Sequence, residues 1–273
     1  MRMISWLTPP VDEKAFLRWR RLTGLVTAGY LVVRARHLTT TTDVWEPMAL
    51  LRSLDGPLPN IVLWVLWVAA LIGCVEWMWR ATPVRFVPQI GAIAFVLLLS
   101  HRSSIGQILW FDILPALHVA VLAAAGTRFD PIRAGWAVRL ASIVTVVTYV
   151  LAGIAKLRFG GLEWVAEGSL ERSIAFSSAR FDALGGTASP VASLLTDLGP
   201  GSTLLSIGVI LIELGAPIVL FSRRSAWLWS IAAWLMHLVI AATMFVVFFW
   251  PLFGLAFMPL VLLGHGNDRS ARH

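Results

Sequence analysis

Residues 142–157 read SIVTVVTYVLAGIAKL, and residues 158–168 follow as RFGGLEWVAEG. The first stretch is an apolar run closed by a single charge, Lys156. Taken from residue 136, it is long enough to cross a bilayer, which needs about 20 mostly apolar residues. Of the 22 lysines and arginines in the chain, only Lys14 and Lys156 are lysines. Arginine stays charged, whereas an apolar site can push a lysine towards its neutral, basic form. Lys156 is thus a candidate base at the mouth of a membrane helix. The other reading is an interfacial lysine whose ammonium snorkels to water.

The rest of the chain is built in the same way. It is 58% hydrophobic and 14% charged, with a mean hydropathy of +0.78, against about 25% charged residues in soluble domains. Further apolar spans are expected at 16–35, 61–79, 86–100, 105–125, 203–222, 226–249 and 252–264. The expected fold is an all-α polytopic transmembrane bundle of about eight helices, forming one domain over residues 1–273. A pI near 10.9 would suggest nucleic acid as partner in a soluble protein. Here the arginines sit between apolar spans, where they orient the chain, so no nucleic acid is expected. Cys74 is the lone cysteine, which excludes an intramolecular disulfide, a CxxC redox pair and a Cys-rich metal site. No cleavable signal peptide is expected, because the N-terminus lacks an early apolar core.

With the N-terminus inside, the inner segments carry 14 of the Lys and Arg residues and the outer ones 8. The positive-inside rule then gives a multi-pass cell-membrane protein with both termini cytoplasmic. Arg80 and Arg85, Arg128, Arg133 and Arg139, and Arg223 and Arg224 mark the inner turns. Trp77, Trp79, Trp110, Trp136, Trp227, Trp229 and Trp250 lie near span ends, as an interfacial aromatic belt requires. The polar stretch 158–202 falls outside and reads as a helical extracytoplasmic cap. Leu170, Ile174 and Phe181 are spaced to let a helix lie on the membrane surface. Ser189 and Pro190 are placed to start another helix, with Gly199 beyond its end.

Charged groups inside spans cost about 2.5–3.5 kcal/mol on insertion scales and tend to mark function. Glu213 lies mid-span in SIGVILIELGAPIVLF and His237 in IAAWLMHLVIAATMF. Asp112 and His118 share ILWFDILPALHVAVL, with His101 just before it. Asp112 and His101 are either site groups or solvated residues near the interface, and His118 is expected to bond a neighbouring helix. A mid-span carboxylate such as Glu213 must be protonated, paired or hydrogen-bonded. Tyr149, Gly153 and Lys156 fall at i, i+4 and i+7 on one helix face. Gly153 would admit a flat ligand or another backbone, and plain helix packing accounts for that face equally well. The histidines are scattered, with neither HxxxH nor HExxH spacing, so no metal is expected. No GxSxG, P-loop or GxGxxG occurs in a strand-turn-helix setting, which excludes the usual hydrolase and nucleotide sites.

TYVLAGIAKL (148–157), followed by Trp164 and Gly168-Ser169-Leu170, resembles the signature of the horizontally transferred transmembrane (HTTM) family. This family includes the membrane domain of the vitamin K-dependent gamma-glutamyl carboxylase. IELGAPIVLFSRR (212–224) and residues 232–260 resemble its acid-containing helix and the following histidine helix, and HRSSIGQILWFD (101–112) a further segment. The resemblance implies an intramembrane pocket for a reduced quinone, vitamin K hydroquinone or menaquinol. Lys156 would be the base and His101 its assistant. Tyr149, Gly153, Trp164, Glu213, His237 and Asp112 would line the pocket. In the carboxylase the deprotonated quinol reacts with oxygen and yields a base strong enough to remove a glutamate γ proton before CO2 addition. This chain departs from that pattern at Ala155, where the carboxylase carries a second lysine, and no counterpart of the large β-rich domain is expected.

The first expectation is therefore a membrane-embedded quinol-binding enzyme acting in contact with lipid, with a secreted peptide as a further substrate. The alternative is a non-catalytic membrane protein that binds a lipid, a quinone or a secreted peptide as a maturation or immunity partner. A small-solute transporter is a third reading, without an inverted repeat or broken-helix pair to support it.

Overall fold

Asp12 opens the first long helix, its side chain accepting the Ala15 amide at 2.9 Å. This caps α1 (Glu13–Val33) where the first-turn N–H groups lack acceptors. The computed structural model describes residues 6–41, 45–47, 49–105, 113–166, 168–183, 185–187, 189–196 and 200–263. The further helices include α2 (Asn60–Trp79), α3 (Val87–Ser104), α4 (Ile113–Ala124), α5 (Pro131–Gly160), α6 (Ser169–Ala183), α7 (Pro190–Thr196), α8 (Pro200–Leu214), α9 (Arg223–Met244) and α10 (Met258–Leu263). The protein is all-helical, with no strand among the described residues. Among the described residues, three helices, α2, α5 and α9, are long and apolar enough to cross a membrane.

Other expected spans take different forms, for local reasons. The span expected over 203–222 is broken: α8 ends at Leu214, and Ala216–Leu220 is a 3-10 turn. Pro217 supplies no backbone N–H and so cannot continue the α-helical ladder. The last turns of α9 give way at Phe245, which adopts a left-handed conformation (φ 54°). Residues 249–263 then fold as a short turn, Phe249–Leu252, a bend at Gly254 (φ 73°) and α10. At the other end, α3 runs on to Ser104 and so carries His101 and Arg102 in its last turn.

The chain divides into two compact units, residues 1–144 with 262–273, and residues 145–261. In the first unit, α2 and α3 meet at paired glycines. A Cβ on Gly91 would stand 2.7 Å from the Gly73 Cα, and one on Gly73 would stand 2.8 Å from the Gly91 Cα. Small residues at such a crossing let backbones approach where the apolar effect gives no preference between protein and lipid. Gly24 of α1 similarly lies against the Cys74 carbonyl of α2, and the Trp67 indole N–H donates to Leu31 O at 2.8 Å. His118 bonds the backbone of the neighbouring helix, its Nε2 lying 3.2 Å from Ala141 O.

In the second unit, α6 buries Ile174 and packs against α8 and α9, while Phe176 stays exposed. Ile174, expected to face a membrane surface, thus faces protein; the Phe181 side chain and Gly199 lie outside the described residues. Ser189 accepts the Val191 amide at 3.2 Å and opens α7. The segment 158–202 is accordingly helical wherever it forms regular structure among the described residues. The aromatic belt is corrected in part. Trp79, Trp136 and Trp227 are exposed, but Trp77, Trp229 and Trp250 are buried, because an indole brings large apolar area to a core as readily as to an interface. Trp110 lies outside the described residues.

The glycine crossing yields a test. Gly91→Ala should lower the melting temperature of the detergent-solubilised protein, because about 1–3 kcal/mol of overpacking outweighs a gain of at most about 1 kcal/mol in helix propensity. Gly29→Ala, where an added Cβ meets nothing within 4 Å, should melt no lower than the parent. Equal melting of the two variants would show that the α2–α3 crossing is looser than described.

Candidate functional site

Gly153 brings two helices of the second unit together. A Cβ there would lie 2.8 Å from Leu214 Cδ2 and 3.1 Å from Glu213 Cβ. The approach of α8 to α5 at this glycine delivers Glu213 to Lys156, one turn further along α5. Lys156 Nζ donates to Glu213 Oε1 at 2.5 Å. The pair is graded in exposure: the lysine side chain is 29% accessible and the carboxylate 7%. Glu213 Oε2 is buried without a hydrogen-bond partner among the described residues. Trp164 covers the lysine, with Nζ 5.6 Å from its ring centroid. Gly160 makes this possible, since a Cβ there would stand 2.8 Å from the Trp164 Cβ.

A second polar pair lies about two turns back along the same face of α5. Tyr149 Oη and His237 Nε2 are 2.7 Å apart. Both residues are buried, and His237 Nδ1 has no partner among the described residues. Aromatic rings enclose the pair: Trp229 lies 4.8 Å from Tyr149, Phe248 4.8 Å from His237 and Phe257 6.3 Å from Tyr149. The Trp229 indole N–H is fixed by Ile212 O at 2.8 Å. With Tyr149 donating to Nε2, His237 carries its proton on Nδ1 and can offer it to an oxygen. The Lys156–Glu213 pair and the Tyr149–His237 pair thus lie about two turns apart along one face of α5, the second pair walled by aromatic rings.

The structure thus brings together Lys156, Glu213, Gly153 and Trp164, and separately Tyr149 with His237. His101 belongs to the first unit. It is wholly buried in α3, both ring nitrogens lack a partner among the described residues, and the Trp45 ring centroid is 5.7 Å away. Backbone pairing of Glu46 N with Ser104 O at 2.7 Å holds the Trp45 segment there. Asp112 lies outside the described residues. The wall residues Trp229, Phe248 and Phe257 escaped the sequence reading. Trp229 was legible in principle, because it precedes His237 by eight residues and shares its helix face. A recess of about 890 Å³ lies in the first unit, lined by residues of 82–85 and 127–133, and involves none of these groups. No family model, curated protein or solved structure matches the chain.

The ion pair has a thermodynamic signature. Lys156→Met strands a buried carboxylate and should cost about 3 kcal/mol or more of stability, as removing one partner of a buried pair does. Glu213→Leu combined with Lys156→Met should recover most of that loss, since an apolar pair of similar volume needs no partner. Denaturation of the double variant and of each single variant in detergent measures the coupling, and purely additive losses would show that the two side chains do not interact.

Proposed function

We propose that the chain is a multi-pass membrane protein of about eight spans, related to the HTTM family, whose second unit binds a reduced quinone and deprotonates it. The observation that carries this reading is the Lys156–Glu213 pair set beside Trp164 in apolar surroundings. The residues fit such a ligand. A quinol offers two hydroxyl donors and two ring oxygens on a flat apolar body. The unpartnered Glu213 Oε2 is an acceptor for a hydroxyl, His237 Nδ1 a donor to an oxygen, and the aromatic walls suit the ring. When bound, a quinol supplies phenolic protons of ordinary pKa about 10 and a ring that, once deprotonated, reacts with oxygen.

The chain's own part is proton handling. Lys156 Nζ and Glu213 Oε1 are in direct hydrogen-bond contact, so a proton can pass between them. With that proton on Glu213, the Lys156 amine takes up the proton of the hydroxyl it faces. Glu213 thereby serves as the lysine's proton store, and Tyr149 orients His237. Trp164 limits the access of water to the pair, as a site protecting a reactive species needs. The assisting role of His101 rests on the sequence resemblance alone.

Lys156→Arg keeps the charge and loses the base. Wild type supplied with reduced menaquinone and oxygen should form quinone epoxide and water. Lys156→Arg should bind the quinone and form epoxide about 100-fold more slowly or worse. Full activity in Lys156→Arg would remove the lysine from the base role. A second reading draws on the same geometry: the ion pair satisfies the lysine with no ligand at all, as a structural clamp does. It makes the chain a non-catalytic membrane partner for a lipid, a quinone or a secreted peptide. Saturable quinone binding by wild type without any epoxide would establish it.

The orientation proposed is both termini cytoplasmic with 158–202 outside, on the tally of 14 Lys and Arg residues against 8. Thr187 is exposed in that segment. In a Cys74→Ala background, Thr187→Cys should react with an impermeant maleimide on intact cells. Labelling that appears only after permeabilisation would reverse the topology.

A further inference from the structure

We propose that the basic recess of the first unit holds the phosphate of an anionic phospholipid. The recess lies between two turns, the one joining α2 to α3 and the one joining α4 to α5. Three guanidiniums, Arg85, Arg128 and Arg133, line it against one carboxylate, Asp130, with Thr82 and Thr127 between them. None of the three arginines makes an ion pair among the described residues. The carboxylates nearby are already engaged. Glu76 pairs with Arg80 at 3.2 Å and accepts the Val84 amide at 3.0 Å, and Asp130 accepts the Arg133 amide at 2.8 Å.

The recess is built and fixed from beneath. Arg20 of α1 is 1% exposed, so its charge is withdrawn from water. Its Nη1 donates to Thr127 O at 3.2 Å, and its Nη2 to Arg80 O at 3.3 Å and Ala81 O at 2.5 Å. One buried guanidinium therefore ties together the two turns that carry Arg85 and Arg128, with Arg133 just beyond in the first turn of α5. Arg85 is further held over the Phe86 ring, 4.6 Å from its centroid. Phe86 itself sits at φ 68°, a left-handed conformation that a bulky residue adopts only where its surroundings impose it.

The setting selects lipid over a free anion. The recess opens where two apolar helices end, just after Trp79 of α2 and just before Pro131 of α5, both of spanning length. Exposed Trp79, Val84, Phe86 and Ile132 flank the lining residues in the chain, and on this proposal they form its apolar rim. Free phosphate gains nothing from that apolar rim, whereas a phospholipid places its headgroup in the recess and its acyl chains along the rim. Basic pockets between membrane helices bind acidic headgroups on these terms.

The probe is phosphatidylglycerol, with phosphatidylcholine as the neutral comparison, bound to the full chain in neutral detergent and followed by native mass spectrometry. Phosphatidylglycerol should bind at least tenfold tighter than phosphatidylcholine. Each arginine near a lipid surface contributes about fivefold, so Arg128→Gln should weaken binding about fivefold and Arg128→Lys much less. The triple variant Arg85→Gln, Arg128→Gln, Arg133→Gln should bring phosphatidylglycerol down to the phosphatidylcholine level, and Arg223→Gln with Arg224→Gln should not. The single variants carry the test should the triple variant fail to purify. Equal binding of the two lipids, or a triple variant and single variants that keep their preference, would overturn the site. Displacement of the lipid by equimolar inorganic phosphate would overturn the lipid assignment in favour of a free anion.

Discussion

A polar group inside an apolar helix has no water to fall back on, so leaving it without a partner in the protein is costly. That constraint orders both units. In the first, Arg20 reaches three backbone carbonyls, Arg102 meets the Tyr30 hydroxyl at 2.9 Å, and His118 meets a carbonyl of α5. In the second, Thr145 reaches Ala256 O, Tyr149 meets His237, and Glu213 meets Lys156. Each of these contacts joins residues far apart in sequence. The polar minority thus sets which helices lie side by side, while the apolar majority tolerates many arrangements. Glycines permit close helix approach in both units: Gly73 and Gly91 at the α2–α3 crossing, and Gly153 beside the Glu213 and Lys156 pair.

The helical class was legible because it depends on composition and run length, which a single sequence carries in full. The site was legible in part. Tyr149, Gly153 and Lys156 share a face by helix periodicity, so their alignment follows from spacing alone. That Glu213 would need a partner followed from the cost of burying a carboxylate. Which cation supplies it did not, because the choice depends on how α8 crosses α5, and that crossing turns on the absence of a single Cβ at Gly153. Position near a span end, a one-dimensional cue, makes Trp229 look interfacial. Its burial against Tyr149 is a property of packing between helices.

Helix ends were the other source of difference. Hydropathy continues smoothly through Gly215-Ala216-Pro217 and through Phe245-Val246-Val247, so a window sum sees one long span in each place. The backbone is governed there by other things: a missing N–H at Pro217 and a left-handed residue at Phe245. Both interruptions fall in the second unit, on the two helices that carry Glu213 and His237. Leu214 precedes the first interruption by a residue, so Glu213 sits in the last turn of α8. A group in the last turn of a helix can be aimed with less constraint from its own neighbours than one in the middle.

The exposure gradient along the Lys156–Glu213 pair bears on what the pair can do. A fully buried pair would be a fixed clamp, since moving either charge would strand the other in a medium that cannot solvate it. A fully exposed pair would be screened and close to neutral in energy. Here the carboxylate is enclosed and the ammonium retains access, covered on one side by Trp164. The lysine is therefore the partner that can meet a ligand without first unburying the acid. Glu213 keeps one oxygen engaged and the other unpartnered among the described residues, so on the proposed function a hydroxyl arriving beside Lys156 would find both a base and an acceptor. A purely structural ion pair has no need of that second oxygen, and leaving it buried and unpaired carries a cost. On the proposed function, a ligand hydroxyl would remove that cost.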